Sequence, residues 1–343
     1  MTFSRKFIIA VLFALAPVTA RAETVIKFAT LAPEGSTWMR VMKEFQTAVE
    51  TQTAGRVKFK TYPGGVQGDE NDVLRKIRLG QLHGGGFTGV GIGQVAPSLR
   101  VLDAPFLFHS SDEIDHITKT YDAQFRKSLA DGGYVLLGWA DVGFVYLMSN
   151  TPIRAPQDLH HVKMWIWEGD PVAEAAFKYM QVSPVPLSVT DVLTSLQTGL
   201  IDGVYGSPLA IVAMQWYSKM KYMFGLPITN ASGAALVSKK AFDQLSPQDQ
   251  KTLLDLGQKY FTEKLSTLSR QDNTTSIATL KKEKIVVTDP ASKDAAAQFE
   301  NMGIQSRKSL CGKMYSAELL SGIEKTLADY RAAKDKKKPA HAK

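Results

Sequence analysis

Cysteine is almost absent from this 343-residue sequence. Cys311 is the only one, so no disulfide can form within the chain. It lies far from the N-terminus, where a lipoprotein would carry its lipid-bearing cysteine, and no histidine-bearing motif accompanies it as would suit a nucleophile. We therefore expect a buried and inert thiol.

Apolar runs long enough to cross a membrane are also missing. The longest, residues 7–16, has about ten residues, whereas a membrane helix needs roughly 18. Arg5 and Lys6 precede this run, and Ala20-Arg21-Ala22 follows it as an A-x-A cleavage signal. The sequence therefore predicts a signal peptide over residues 1–22, cleavage after Ala22, and an exported protein that is not embedded in the membrane.

Motifs for catalysis, metals and cofactors are absent too. The six histidines lack metal-ligand spacing, and the adjacent His160 and His161 would point to opposite sides of a strand. Neither G-x-S-x-G nor H-E-x-x-H occurs. A formal G-x-G-x-x-G at residues 84–89 follows a predicted helix rather than a strand, and Asp103 comes too early for the acidic residue of a dinucleotide site. We expect no metal, no cofactor and no enzyme activity.

Positive charge is concentrated at the two ends of the chain. The formal net charge is +8, of which Arg5, Lys6 and Arg21 belong to the predicted signal peptide. Residues 334–343 carry five lysines and one aspartate, and we expect a disordered basic tail there. The body between is nearly neutral and has no basic face interleaved with aromatics, which argues against a nucleic-acid partner.

What the sequence does contain is a repeated alternation of strand and helix patterns. The predicted strands are residues 24–31, 56–62, 134–140, 143–150, 162–167, 200–205, 231–238 and 285–287. The predicted helices include residues 36–51, 68–79, 112–129, 172–180, 209–220, 294–334 and a long one from Pro247 to about Lys284, which we expect to bend near residues 273–275. Such an order predicts two α/β lobes joined by strands, with a cleft between them. We assign residues 23–147 and 236–272 to lobe I, and residues 148–235 and 273–333 to lobe II.

The most unusual stretch is the predicted strand at residues 162–167. One face carries three core-type side chains, Val162, Met164 and Ile166. The other face carries Lys163, Trp165 and Trp167, so two indoles stand where a polar, solvent-facing surface would be expected. Gly169-Asp170-Pro171 then turns the chain into a helix, and helix N-termini beside strand ends are common ligand sites. We interpret both tryptophans as ligand contacts, with core packing as the alternative.

Further candidate contacts lie at strand ends and breaks. Phe87 and Thr88 end a short strand whose flanking glycines would let a ligand approach the backbone. Trp139 and Asp141 lie at a strand break leading into the hinge, where packing and turn formation are the alternatives. Two more candidates are Glu34, which faces the cleft or water, and Trp216, for which helix core packing is the alternative.

Several motifs together resemble those of the extracytoplasmic solute-binding proteins of TRAP transporters, of the DctP type. They are residues 33–38 (PEGSTW), 62–69 (YPGGVQGD), 103–108 (DAPFLF), 184–188 (PVPLS), 196–203 (LQTGLIDG) and 238–242 (SKKAF). The resemblance covers nearly all of the mature chain. It implies a two-lobed periplasmic-binding-protein clamshell with mixed sheets, hinge strands and a long lobe-spanning helix. It further implies a periplasmic location, capture of a small-molecule ligand, and delivery to the small and large permease subunits of an ion-gradient-driven system.

The resemblance breaks at one functional position. In the family the second-lobe strand reads Lys-apolar-Arg, and the arginine binds the ligand's carboxylate; here the same place reads Lys163-Met164-Trp165. An indole offers one N–H and no charge. The resemblance therefore implies the subgroup that lacks this arginine, with an apolar, aromatic or cationic ligand. A carboxylate held by Arg154 or Lys163 instead stays open, as does a sensor or another partner in place of a transporter.

The family also supplies a cleft residue after the element at Asp202-Gly203. The spacing here is one residue longer than usual, so the role falls to Tyr205, Gly206 or Ser207. We take Tyr205 and Ser207 as the candidates.

Overall fold

The computed structural model describes residues 23–337, so the predicted signal peptide lies outside the described residues. The strands in this part of the chain are β1 (Thr24–Thr30), β2 (Val57–Tyr62), β3 (Gly84–Thr88), β4 (Tyr134–Trp139), β5 (Gly143–Ser149), β6 (Trp165–Trp167), β7 (Val185–Leu187), β8 (Gly203–Gly206), β9 (Tyr222–Phe224), β10 (Thr229–Ala231), β11 (Gly233–Ser238) and β12 (Val286–Thr288). The α-helices are α1 (Thr37–Gln52), α2 (Glu70–Arg78), α3 (Gly89–Val95), α4 (Ser111–Thr120), α5 (Asp122–Asp131), α6 (Pro171–Tyr179), α7 (Val192–Thr198), α8 (Pro208–Ala213), α9 (Lys239–Phe242), α10 (Pro247–Gly257), α11 (Ser266–Lys282), α12 (Lys293–Ser309) and α13 (Ala317–Lys337). Within these residues, no helix is both long enough and apolar enough to span a bilayer.

The first lobe is built on a five-stranded mixed sheet of order β2-β1-β3-β11-β4. β1 pairs in parallel with β2 and β3, and β11 runs antiparallel to β3 and β4. Both faces of this sheet are buried. Leu236 and Val237, neighbours in β11, belong to different apolar clusters because side chains alternate across a strand.

The second lobe is built on a sheet of order β10-β5-β9-β12, with β8 also paired to β5. A separate parallel pair, β6 and β7, carries the two tryptophans of the unusual stretch. Met164, just before β6, bridges to Gly203 at the start of β8, so the small pair is held against the main sheet of this lobe.

The chain passes between the lobes at three places before α12, and a fourth passage joins α12, which packs on α6, to α13, which packs on the first lobe. The hinge segment, residues 140–142, links β4 to β5, and Ser232 links β10 to β11. The third connection is a continuous helical run formed by α10, a π-helical stretch Gln258–Leu265, and α11. This run packs on β4 in the first lobe and on α8 in the second. The predicted two-lobed α/β fold with mixed sheets, hinge strands and a lobe-spanning helix is confirmed.

Local differences from the sequence predictions have identifiable causes. The predicted helix 112–129 is two helices, α4 and α5, because Tyr121 leaves the helical conformation. The predicted helix 294–334 breaks between α12 and α13, where Gly312 adopts a φ of +78°. The long helix departs from α geometry at the π stretch, earlier than residues 273–275.

The C-terminal helix changes two expectations. Part of the predicted disordered tail is helical, since α13 runs to Lys337 and Lys334 Nζ pairs with Asp112 Oδ2 at 2.7 Å. Leu320 and Ile323 of α13 join the apolar core of the first lobe. The lobe limits of the sequence analysis stay a prediction, and this packing argues against placing α13 in lobe II.

Candidate functional site

A cavity of about 250 Å³ lies between the two lobes. The first lobe contributes the ends of β1 and β3 and the 3-10 helix Pro97–Asp103. The second lobe contributes β6, the start of α6, and the chain from the end of β8 through α8. The hinge segment closes one side. Most of the lining side chains are apolar or aromatic, as is usual for a small-molecule site.

The predicted division of residues 162–167 into two faces is confirmed. Met164 and Ile166 belong to one apolar cluster of the second lobe, and Trp165 and Trp167 belong to another. All four side chains are buried. Of residues 162–167, only Lys163 faces solvent. The face of β6 that carries Trp165 and Trp167 lines the cavity and is not part of the outer protein surface.

Trp165 forms the aromatic wall of the cavity. It is 1% exposed, stacks on Tyr205 with ring centroids 4.9 Å apart, and meets Trp216 edge-on at 5.2 Å. Its Nε1 donates to the carbonyl oxygen of Leu187 at 3.0 Å, on the paired strand β7. Because the N–H is already bonded, Trp165 can offer a ligand only the apolar surface of its ring.

Trp167 lines the cavity but also connects the lobes. Its Nε1 donates to Asp69 Oδ2 at 3.0 Å, and Ser188 Oγ donates to the same oxygen at 2.8 Å. Asp69 is the N-cap of α2 in the first lobe, whereas Trp167 and Ser188 belong to the second. The indole N–H of Trp167 therefore bonds the opposite lobe.

Tyr205 and Ser207, the two candidates after β8, both line the cavity, as does Gly206 between them. Tyr205 accepts a hydrogen bond from the backbone N–H of Trp167 at 3.1 Å. Ser207 is the N-cap of α8, where its Oγ accepts from the N–H of Ala210 at 3.2 Å. Tyr205 thus supports the aromatic wall, while Ser207 is engaged in starting a helix.

Phe87 and Thr88 line the cavity from the end of β3. Thr88 donates through its backbone N–H and its Oγ1 to the buried carboxylate of Glu70, at 2.7 and 3.1 Å. The N–H of Gly91 adds a third donor at 2.7 Å. Burial nevertheless raises the pKa of Glu70 to about 7, against the three donors that favour the charged form. Sequence reasoning missed Glu70, which also lines the cavity.

Asp141 lines the cavity from the hinge segment, but its charge is already paired. Arg270 Nε, on the lobe-spanning helix, lies 2.7 Å from Asp141 Oδ2, and the same guanidinium pairs with Asp115 at 2.7 Å. Burial raises the pKa of Asp141, opposed by Arg270. The arrangement favours the predicted structural alternative, in which this carboxylate fixes the hinge.

Four residues named from the sequence lie outside the cavity. Trp139 packs edge-on against Phe125 in the first-lobe core, with ring centroids 6.2 Å apart. Glu34 faces solvent and pairs with Lys43. Lys163 is exposed and donates to the carbonyl of Gly199 at 2.8 Å, and the exposed Arg154 likewise is not in the lining. Each has a position set by a neighbour on its own lobe.

Sequence reasoning missed the one basic residue that the described part of the chain places in the lining, Arg100. It lies in the 3-10 helix and is 3% exposed. Its Nη2 lies 2.7 Å from Asp170 Oδ1 in the second lobe, and its Nε lies 3.3 Å from Asp103 Oδ2 in the first. The only sequence signal was an arginine three residues before an aspartate inside an apolar stretch.

The lining therefore has an excess of acidic groups. Among the described residues, Glu70, Asp103 and Asp170 line the cavity together with one guanidinium, that of Arg100, while Asp141 is paired with Arg270. Burial raises the pKa of Asp103, opposed by the nearby guanidinium. An anionic ligand would enter a cavity whose single cation is already paired with two carboxylates.

Metal-binding and thiol chemistry find no support in residues 23–337. Within this range no group of three or more His, Cys, Asp or Glu side chains could hold a metal ion. Cys311 is half-buried, and burial raises the pKa of its thiol, which disfavours the reactive thiolate. The cavity is suited by its size and lining to hold a small molecule.

Comparison with known proteins agrees with this geometry. The family described as DctP, bacterial extracellular solute-binding protein, family 7, matches residues 28–310. A solute-binding protein of Verminephrobacter eiseniae is 28% identical over 243 residues, covering 69% of this chain and 71% of its own. The sialic acid-binding periplasmic protein SiaP of Vibrio cholerae is 24% identical over 293 residues, covering 83% and 89%.

Solved structures give the same result. A TRAP periplasmic solute-binding protein of Citrobacter koseri with bound D-glucuronate is 25% identical, covers 89% of this chain and 99% of its own, and superposes with a TM-score of 0.79. These relatives are binding proteins, not enzymes. The chain therefore belongs to the DctP family of bacterial extracellular solute-binding proteins, and it is not an enzyme.

Proposed function

We propose that this protein is the periplasmic solute-binding component of a TRAP-type uptake system and that its ligand is apolar, aromatic or cationic instead of a simple organic acid. The observation that carries the proposal is that Arg100 is already paired with carboxylates of the protein. It is the only basic side chain that the described residues place in the cavity lining, and protein carboxylates already occupy it.

The shape of the cavity supports a ligand with a flat apolar body. Trp165, packed against Tyr205 and Trp216, belongs to the second-lobe wall of the cavity, and Phe87 lines the first-lobe side. A stacked or edge-on aromatic contact contributes about 0.5–1.5 kcal/mol beyond the burial of its area. A cation over such a ring gains a further 0.5–2 kcal/mol, roughly, from the ring quadrupole.

The charges of the cavity support the same ligand class. A carboxylate entering the site would need a cation of its own, and taking a charge out of water without a partner costs several kcal/mol, roughly. At the position of the family arginine this chain has Trp165, which carries no charge. A cationic group, in contrast, would meet the acidic side chains Glu70, Asp103 and Asp170.

Capture follows from the two-lobed fold. The ligand site is formed by both lobes, so a ligand contacts the complete site only when the lobes are closed. Binding therefore shifts the equilibrium toward the closed form by the difference in its affinity for the two forms. We propose that the closed form then delivers the ligand to the small and large permease subunits, after export through the signal peptide at residues 1–22.

There are two alternatives, and the first has a specific observation behind it. The Citrobacter koseri relative contains D-glucuronate, which favours a sugar acid. The positions of Arg154 and Lys163 outside the cavity argue against either of them as its anchor. A sensor in place of a permease is the second alternative, which reconstituted uptake with the permease subunits would separate.

Thermal-shift screening tests the ligand class. The panel contains D-glucuronate, succinate, neutral aromatics and aromatic amines, measured on the mature protein and on Trp165→Ala. We expect the aromatic compounds to raise the melting temperature of the parent protein and to lose most of this effect in Trp165→Ala, except for those that, like indole, fit the hole left by the ring. Trp139→Phe, a tryptophan change outside the cavity, is the matched control and should keep the effect. Strong stabilisation by D-glucuronate or succinate that survives Trp165→Ala would refute the proposal.

A further inference from the structure

Arg100 is built into the first lobe as a buried cation. Its side chain leaves the 3-10 helix and passes over the glycine-containing helix α3. A Cβ at Gly93 would come within 2.6 Å of Arg100 Cδ, and a Cβ at Gly89 would come within 1.8 Å of Asp103 Oδ2. The glycines that suggested close approach of a ligand to the backbone in fact make room for this ion pair.

Asp170, the partner of Arg100 in the second lobe, is also fixed by hydrogen bonds. Asp170 is the N-cap of α6, and its Oδ1 accepts from the N–H groups of Val172 and Ala173 at 3.1 and 3.4 Å. The same oxygen accepts from Arg100 Nη2 at 2.7 Å, and the Oδ2 accepts from Tyr205 at 3.4 Å. Asp170 is 4% exposed. The pair therefore crosses the cleft between two fixed groups, away from water.

We infer that Arg100 is a specificity-determining residue whose pairing with Asp170 makes the closed site select against carboxylate ligands. The carboxylate that meets the guanidinium on lobe closure is the protein's own. The inference rests on the proposed function of the cavity. It adds that the pair of Arg100 and Asp170 is what excludes carboxylate ligands.

The physical reason is competition inside a buried site. A ligand carboxylate that reached Arg100 would have to share its guanidinium with Asp170 and Asp103, which leaves buried negative charge without a cation of its own. Asp170 is tethered by the helix that it caps, so it pays no association entropy to reach the guanidinium. A neutral or cationic ligand adds no carboxylate to the site, so it leaves the pair of Arg100 and Asp170 intact.

The test removes the competing charge and keeps its shape. Asp170→Asn retains a good N-cap for α6 but removes one of the two carboxylates that pair with Arg100. The probes are phenylacetate and 2-phenylethanol, which share an aromatic body and differ in the carboxylate, titrated by calorimetry into the mature protein. We expect Asp170→Asn to bind phenylacetate about tenfold tighter than the parent protein, as for one new hydrogen bond to a charged group. The affinity for 2-phenylethanol should stay within about twofold, because that probe uses neither charge.

Asp69→Asn is the matched control, since it weakens the hydrogen bond that Trp167 donates across the cleft but removes no partner of Arg100. It should produce no gain for phenylacetate. Equal gains in Asp69→Asn, equal gains for 2-phenylethanol, or no gain in Asp170→Asn would overturn the inference. Asp170→Ser, which also caps helices, replaces the asparagine variant if that fails to fold. Preference of the parent protein for phenylacetate would instead count against the proposed function, so the two failures are distinguishable.

Discussion

The indole Nε1 of Trp167, in the second lobe, lies 3.0 Å from Oδ2 of Asp69, in the first, and donates a hydrogen bond to it. Ser188 donates to the same oxygen, so a single carboxylate of the first lobe receives two bonds from the second. The pair of Arg100 and Asp170 is another polar tie across the cleft. Lobe closure is thus stabilised by the protein itself as well as by a ligand.

Trp167→Phe should weaken lobe closure while keeping an aromatic side chain at this position. The variant loses the N–H that Asp69 accepts, and we expect a loss of about 1–2 kcal/mol from the closed form, as for a hydrogen bond to a charged acceptor. Small-angle scattering of the ligand-free protein should show a larger radius of gyration. Trp165→Phe is the control, since its N–H bonds within one lobe. Equal expansion in both variants would contradict the role of Trp167.

Glu70 should give the protein a characteristic pH dependence. Its pKa is raised from 4.5 to about 7 in the folded state, so the folded protein retains a proton that the unfolded chain has lost. The contribution of Glu70 to the free energy of unfolding is therefore greatest below pH 4.5. It falls by roughly 3 kcal/mol as the pH rises to about 7.

Urea unfolding at a series of pH values measures this effect. Relative to the parent, Glu70→Gln should lose this slope, although its absolute stability also falls because an amide cannot accept all three donors. Glu34→Gln, at an exposed carboxyl group, should leave the slope unchanged. A parent protein with the same slope as Glu70→Gln between pH 4.5 and 7 would show that Glu70 is ionised throughout.

Trp165→Ala should leave a hole of indole size next to the cavity. Truncation of a buried tryptophan costs about 3–5 kcal/mol, and Trp165 is 1% exposed. Because apolar cavities take up matching apolar molecules, indole should raise the melting temperature of the variant by several degrees, roughly, but should affect Trp165→Phe less. Absence of any difference between the two variants would show that the site collapses when the ring is removed.

Gly143 at the start of β5 should tolerate no side chain. It adopts a φ of +111°, and a Cβ there would lie 2.4 Å from Nδ2 of Asn273, which donates to the hinge carbonyl of Val142. We expect Gly143→Ala to destabilise the fold by about 1–3 kcal/mol. Gly133→Ala is the control, because Gly133 also has a positive φ but nothing within 4 Å. Equal losses would show that backbone conformation, not the contact with Asn273, sets the cost.

Local signals in the sequence were sufficient for most elements and for part of the site. The helices predicted from residue 36 and from Pro247 begin where expected, because Ser36 and Ser246 each accept from a backbone N–H three residues later. The alternation around Trp165 correctly separated two faces. A strand pattern, however, cannot show that both faces are buried, since that depends on which elements later cover them.

Arg100 shows what a single sequence cannot reveal. Its burial depends on glycines of α3, on an aspartate 70 positions further along the chain, and on closure of two lobes. None of these appears as a local pattern, and an arginine in an apolar stretch normally indicates an exposed face. The same applies to Glu70, whose three donors come from residues 18 and 21 positions away.

The most direct test of the central claim measures the charge preference of the cavity. Phenethylamine, 2-phenylethanol and phenylacetate share one aromatic body and carry a cation, a neutral hydroxyl and an anion. Calorimetric titration of the mature protein at pH 7.5, roughly the ordinary working range of such proteins, compares them directly. The excess of carboxyl groups around Arg100 predicts that the amine or the alcohol binds at least about tenfold tighter than phenylacetate. Tightest binding of phenylacetate would contradict the claim.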